Sequence, residues 1–147
     1  MKSYGKLLAV GLVCVAGVAA AKEGVTNPVV KERMDVMQVI RANTGALGDM
    51  ASGKAAFDGA KAAEAAAAIA GAAATIPTVF EPQETDPVSE AKPAIWENFS
   101  DFTTKADALT TAAQSLDTGS LDALKAGMGA VGGACKACHT DYRIQTN

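Results

Sequence analysis

Cys135-Lys136-Ala137-Cys138-His139-Thr140-Asp141-Tyr142-Arg143, close to the C-terminus, holds the only histidine of the chain and two of its three cysteines. On a helix, residues three apart share a face, so the two thiols stand on one side with the imidazole next along. The run C-x-x-C-H is the pattern of c-type haem attachment. Each thiol can form a thioether with one haem vinyl group, and His139 can present a ring nitrogen to the iron as an axial ligand. Two other chemistries use similar residues. A thioredoxin-like dithiol wants a βαβ context, and the residues before Cys135 show no strand pattern. A structural zinc site wants four N or S ligands, and two cysteines with one histidine fall short. One covalently bound haem c is the expectation.

Working outward, the motif ends a helical stretch expected from about Leu121 to Arg143, with Leu121, Leu124, Met128 and Val131 leading to the cysteines. Gly127, Gly129, Gly132 and Gly133 are unfavourable inside a helix. Lacking a Cβ, they allow close approach, which suggests something large against the chain there or a bend. A third stretch, about Ala94 to Leu116, carries Ile95, Trp96, Phe99, Phe102, Ala106 and Leu109 on or near one stripe. Between Ile76 and Pro93, four prolines recur among Glu81, Glu84, Asp86 and Glu90, reading as a long acidic connection. Alanine, the best helix former, dominates a second stretch from about Phe57 to Ala74. Asn27 suits a cap and Pro28 a first turn for a helix running to about Met50. There Val30, Met34, Met37, Ile40 and Leu47 recur at helical spacing. The fold class is all-α: four helices and one long connection make an antiparallel four-helix bundle, with the haem between facing helices.

The N-terminus is compositionally separate. Lys2 and Lys6 precede an apolar run from Leu7 to Ala21 without an acidic residue. At about 15 residues it is shorter than the roughly 20 a membrane span needs. It ends on Ala19-Ala20-Ala21, an A-x-A cleavage pattern, so residues 1–21 read as a secretory signal peptide and 22–147 as the mature domain. Removal takes Cys14 and two lysines, leaving 11 basic against 16 acidic side chains, a charge of −5. That balance, with no basic run, excludes a nucleic-acid partner and suits a basic redox partner protein.

The segments CKACHTDYR (135–143), IWENFSDF (95–102) and VKERMDVM (30–37), at these separations, resemble the class II c-type cytochromes. These are the cytochromes c′ and their low-spin relatives, and the resemblance spans nearly the whole mature chain. It implies a periplasmic four-helix bundle in which Cys135 and Cys138 are the thioether cysteines and His139 the proximal ligand. Arg143 matches a basic residue beside the proximal imidazole, and Arg33 an arginine near a haem propionate. Met37 matches the position facing the distal side of the iron. The family often has Gln directly after that arginine; this chain has Met34. In low-spin members a methionine at the position of Met37 binds the iron, and the protein carries single electrons without substrate chemistry. In the cytochromes c′ an apolar residue, sometimes a non-bonding methionine, leaves five-coordinate iron that binds NO or CO. The expectation is a non-enzymatic electron carrier with His139 and Met37 as metal ligands, the gas-binding reading being the alternative. Monomer and homodimer both remain open, since cytochromes c′ commonly dimerise through their first two helices.

Overall fold

The computed structural model describes residues 24–145, so the expected signal peptide lies outside the described residues. Five helices follow in order: α1 (Pro28–Ser52), α2 (Gly59–Phe80), α3 (Ala94–Glu97), α4 (Phe99–Gln114) and α5 (Leu121–Tyr142). The four long ones close a ring, α1 packing on α2, α2 on α4, α4 on α5 and α5 back on α1. This is the antiparallel four-helix bundle. No named strand occurs among the described residues, only an isolated bridge between Ala91 and Arg143.

The ends of α1 follow the sequence. The Asn27 side chain accepts from the N–H groups of Val29 and Val30, and Pro28 sits in the first turn. At the other end Gly53, with φ of 80°, donates to the Met50 carbonyl; a left-handed cap of this kind favours glycine. Asp58 caps α2 by accepting from Ala60 and Lys61. The buried face of α2 is largely small: Ala62, Ala65, Ala66, Ala70 and Ala73 alternate with Ile69 and Ile76. Small side chains allow neighbouring backbones close, which makes α2 the thin wall of the bundle.

Two boundaries differ from expectation. Helix α2 does not stop near Ala74 but runs through Pro77 to Phe80, although proline removes one ladder hydrogen bond. Donors remote in sequence hold the extra turn. Arg33 Nε donates to the Val79 carbonyl at 2.9 Å, and Trp96 Nε1 to the Phe80 carbonyl at 2.8 Å. The guanidinium of Arg33 also stands over the rings of Phe80 and Trp96, 5.0 and 5.3 Å from their centroids. The second difference lies in the expected third helix, which breaks at Asn98 (φ −135°, ψ 46°) into α3 and α4. The connection proper is therefore residues 81–93.

Asp86 fixes that connection. It is buried, and its Oδ2 accepts from Thr26 N, Thr26 Oγ1 and Asn27 N at 2.9, 3.0 and 2.9 Å, while Oδ1 accepts from Val88 N at 3.0 Å. The backbone hydrogen bond from Val88, then those from Asn27 and Thr26, hold its carboxyl down at about 2. Because the folded-state value lies below that of the unfolded chain, near 4, the ionised group stabilises the fold above about pH 4. That contribution fades as pH falls through 4 toward 2. Thermal melts at pH 7, 4 and 2.5 test this. Asp86→Asn should melt lower than wild type at pH 7, and the gap should narrow at pH 4 and again at pH 2.5. A gap independent of pH would refute the assignment.

Candidate haem site

Four helices contribute to one apolar recess, which encloses about 30 Å³ and opens to solvent at its mouth. Met37 and Ile40 come from α1, Ile76 from α2, and Lys105, Ala106 and Leu109 from α4. Ala134, Cys135, Cys138 and His139 come from α5. The C-x-x-C-H run lies wholly within α5, so its helical spacing brings both thiols and the imidazole to the same wall. Met37 stands on α1 in the same lining. Residues separated by about a hundred positions in sequence thus share one cavity.

The chemistry of this donor set fits a covalently attached haem. Cys135 and Cys138 are unpaired and half-buried. Burial pushes the Cys135 thiol above its ordinary value and that of Cys138 up to about 11. Thiols of dithiol oxidoreductases are reactive because their pKa is lowered; these are raised, which argues against that chemistry. For His139, burial lowers the pKa first, the nearby Arg143 charge lowers it further, and Glu90 opposes both. A neutral imidazole is the form that ligates a metal. The remaining lining is aliphatic apart from Lys105, as a porphyrin face requires.

The other expected residues fall in different places. Arg143 follows α5; its Nε and Nη2 donate to Glu90 Oε2 at 2.8 and 2.6 Å, and its N–H donates to the His139 carbonyl at 3.1 Å. The structure therefore brings Arg143 beside the His139 turn. Arg33 does not line the recess. It is 3% exposed, and its three nitrogens donate to the carbonyls of Val79, Pro82 and Glu84. Met50 is buried in the core, and Met34, half-buried, is absent from the recess wall.

The four glycines of α5 do not mark the recess. At Gly127 a Cβ would meet only Leu116, through Cδ1, the movable end of its side chain, and Gly129, Gly132 and Gly133 have nothing within 4 Å of that position. The residue that the sequence reading passed over is Lys105. It lies three after Phe102 and four before Leu109, on the apolar stripe of α4. A charge on an apolar stripe was the available signal.

Comparison with known proteins agrees with this geometry. The family model described as Cytochrome C′ matches residues 28–143. Cytochrome c-556 of Agrobacterium tumefaciens (strain apple 185) is 37% identical over 117 residues, covering 77% of this chain and 92% of that one. The solved structure of cytochrome c′ from Rhodopseudomonas palustris superposes with a TM-score of 0.76 at 31% identity, covering 83% of this chain and all of that one. The nitric oxide complex of a cytochrome c prime variant from Alcaligenes xylosoxidans gives a TM-score of 0.71 at 29% identity, covering 80% and 94%.

Proposed function

Since the chain belongs to the cytochrome c′ family, whose members bind a covalently attached c-type haem, we propose that it is a periplasmic single-electron carrier in which His139 and Met37 would ligate the iron. The observation that carries this reading is the joint presence of Met37 from α1 and Cys135, Cys138 and His139 from α5 in one recess lining. The haem, when bound, supplies an iron centre that holds or releases one electron.

The chain's own residues do the rest. Cys135 and Cys138 hold the macrocycle through thioethers, and His139 supplies a neutral imidazole. Met37 supplies a neutral, soft thioether, and Met/His ligation raises the reduction potential. Ile40, Ile76 and Leu109 keep water from the iron, which further favours the less charged ferrous state. Arg143 stands beside the proximal imidazole, balanced by Glu90. Arg33 serves the scaffold: its donors engage the Val79 carbonyl at the end of α2 and the Pro82 and Glu84 carbonyls of the connection. Family proteins are generally periplasmic, and cleavage after Ala21 is the proposed route of export. A basic redox partner fits the mature charge of −5.

One observation favours a second reading. Solved relatives include a nitric oxide complex, and a methionine that stays off the iron would leave a distal pocket for NO or CO. Absorption and EPR spectra of the ferric protein separate the two. The proposal expects a low-spin signal and a weak red thioether–Fe(III) charge-transfer band, with little CO uptake after reduction. A high-spin ferric signal with ready CO binding would replace the carrier reading by the gas-binding one.

A further inference from the structure

Lys105 is the one charged residue in the wall of the recess, and its ammonium is bound on three sides. Its Nζ lies 2.6 Å from Asp101 Oδ2, one turn earlier on α4, and 2.8 Å from Asp141 Oδ2 on α5. It also stands 5.2 Å from the centroid of the Tyr142 ring. Tyr142 closes the circuit, its hydroxyl donating to Asp101 Oδ2 at 2.5 Å. Both partners on α5 follow His139 directly, Asp141 by two residues and Tyr142 by three. The lysine side chain is only 24% exposed, whereas Asp101 and Asp141 are about half exposed.

We propose that Lys105 is a positioning residue for the haem-bearing turn of α5, clamping that turn to α4 through Asp141 and the Asp101–Tyr142 pair while setting the charge beside the haem. The last turn of a helix is where fraying begins, and His139 lies in the last turn of α5. The connection holds that turn from one side, Lys92 donating its N–H to the Tyr142 carbonyl at 2.9 Å and its Nζ to the Thr140 carbonyl at 3.1 Å with Glu90 pairing Arg143 just beyond, while the polar contacts that tie it to α4 are those of Lys105 and Tyr142. An imidazole on a loosened turn changes its orientation at the iron, and ligand orientation is a lever on haem electronics. The charge acts separately. Ferric haem is one unit more positive than ferrous, so a cation in the wall favours the ferrous state and the carboxylates oppose it.

The inference rests on His139 as the iron ligand. Its test uses holoprotein carrying Lys105→Met, Lys105→Arg or Asp141→Asn, read by ferric EPR g-values and by equilibrium redox titration. Lys105→Met should shift the g-values. It should also move the ferrous-to-ferric ratio at fixed solution potential about tenfold toward ferric, the order expected for one charge lost from a low-dielectric site. Lys105→Arg, which can still pair with both carboxylates, should restore both readouts. Asp141→Asn cuts the link to α5 but removes a negative charge, so the g-values should shift while the ratio moves toward ferrous. That opposite sign keeps the test decisive even where Lys105→Met yields no holoprotein. A lower melting temperature with wild-type g-values and potential would overturn the positioning role and leave an ordinary ion pair. Wild-type haem that acid–acetone extracts would instead overturn the reading of the site itself.

Discussion

Replacing Cys135 and Cys138 together by alanine should release all the haem to acid–acetone and leave a chain that no longer melts cooperatively at the holoprotein's temperature. Either single replacement leaves one thiol and therefore at most one thioether per haem. The effect on folding follows from the lining of the recess. Ile40, Ile76 and Leu109 are buried around it, and α2 offers mostly alanine to the core. A ligand that binds only the native state adds its binding free energy to stability. We expect the double variant to melt at least about 10 °C lower, with much of its near-UV circular dichroism lost. Covalently retained haem in the double variant, or a haem-free chain with native near-UV signal and unchanged melting, would contradict this.

How far the sequence discloses this arrangement depends on the range of each interaction. Asn27 and Pro28 act on neighbours within a few residues, so the start of α1 is legible from two letters, whereas its end, expected near Met50, runs on to Ser52 before Gly53 caps it. The C-x-x-C-H run is legible for the same reason, because helical spacing alone assembles it. Pro77 misleads: read locally it ends α2, yet Arg33 and Trp96, 44 residues before it and 19 after it, hold the turn beyond it. Asp86 reads as one of several acids in a connection, whereas its oxygens anchor the chain ahead of α1. Both cases are tertiary hydrogen bonds, which no window of sequence contains. For Arg33, residue type and position match a propionate contact, and what only the structure adds is that its donors engage the backbone carbonyls of Val79, Pro82 and Glu84. Lys105 was visible as an anomaly of pattern, but its partner Asp141 lies 36 residues away.

Met37→Ala should produce the largest functional change of any single substitution outside the haem-attachment motif. On the carrier reading, the variant loses the red charge-transfer band, and its ferric iron becomes high-spin or takes up water. Its reduction potential falls by on the order of 0.1 V, since axial ligands govern haem potentials over about 0.8 V. The direction follows from ligand character: a neutral thioether stabilises ferrous iron relative to ferric, and its removal reverses that preference. Removal also opens a coordination position, so CO and NO should bind the reduced variant readily. Met34→Ala supplies the control. Residue 34 is about 60° from residue 37 around a helix of 3.6 residues per turn, and it lies outside the recess lining. Its loss should cost packing only, leaving spectrum, potential and gas affinity as in wild type. If Met37→Ala changes none of these three properties and the wild type already binds CO, Met37 is a wall of an open distal pocket. The iron then works through a free coordination site, and the protein is a gas-binding member of its family.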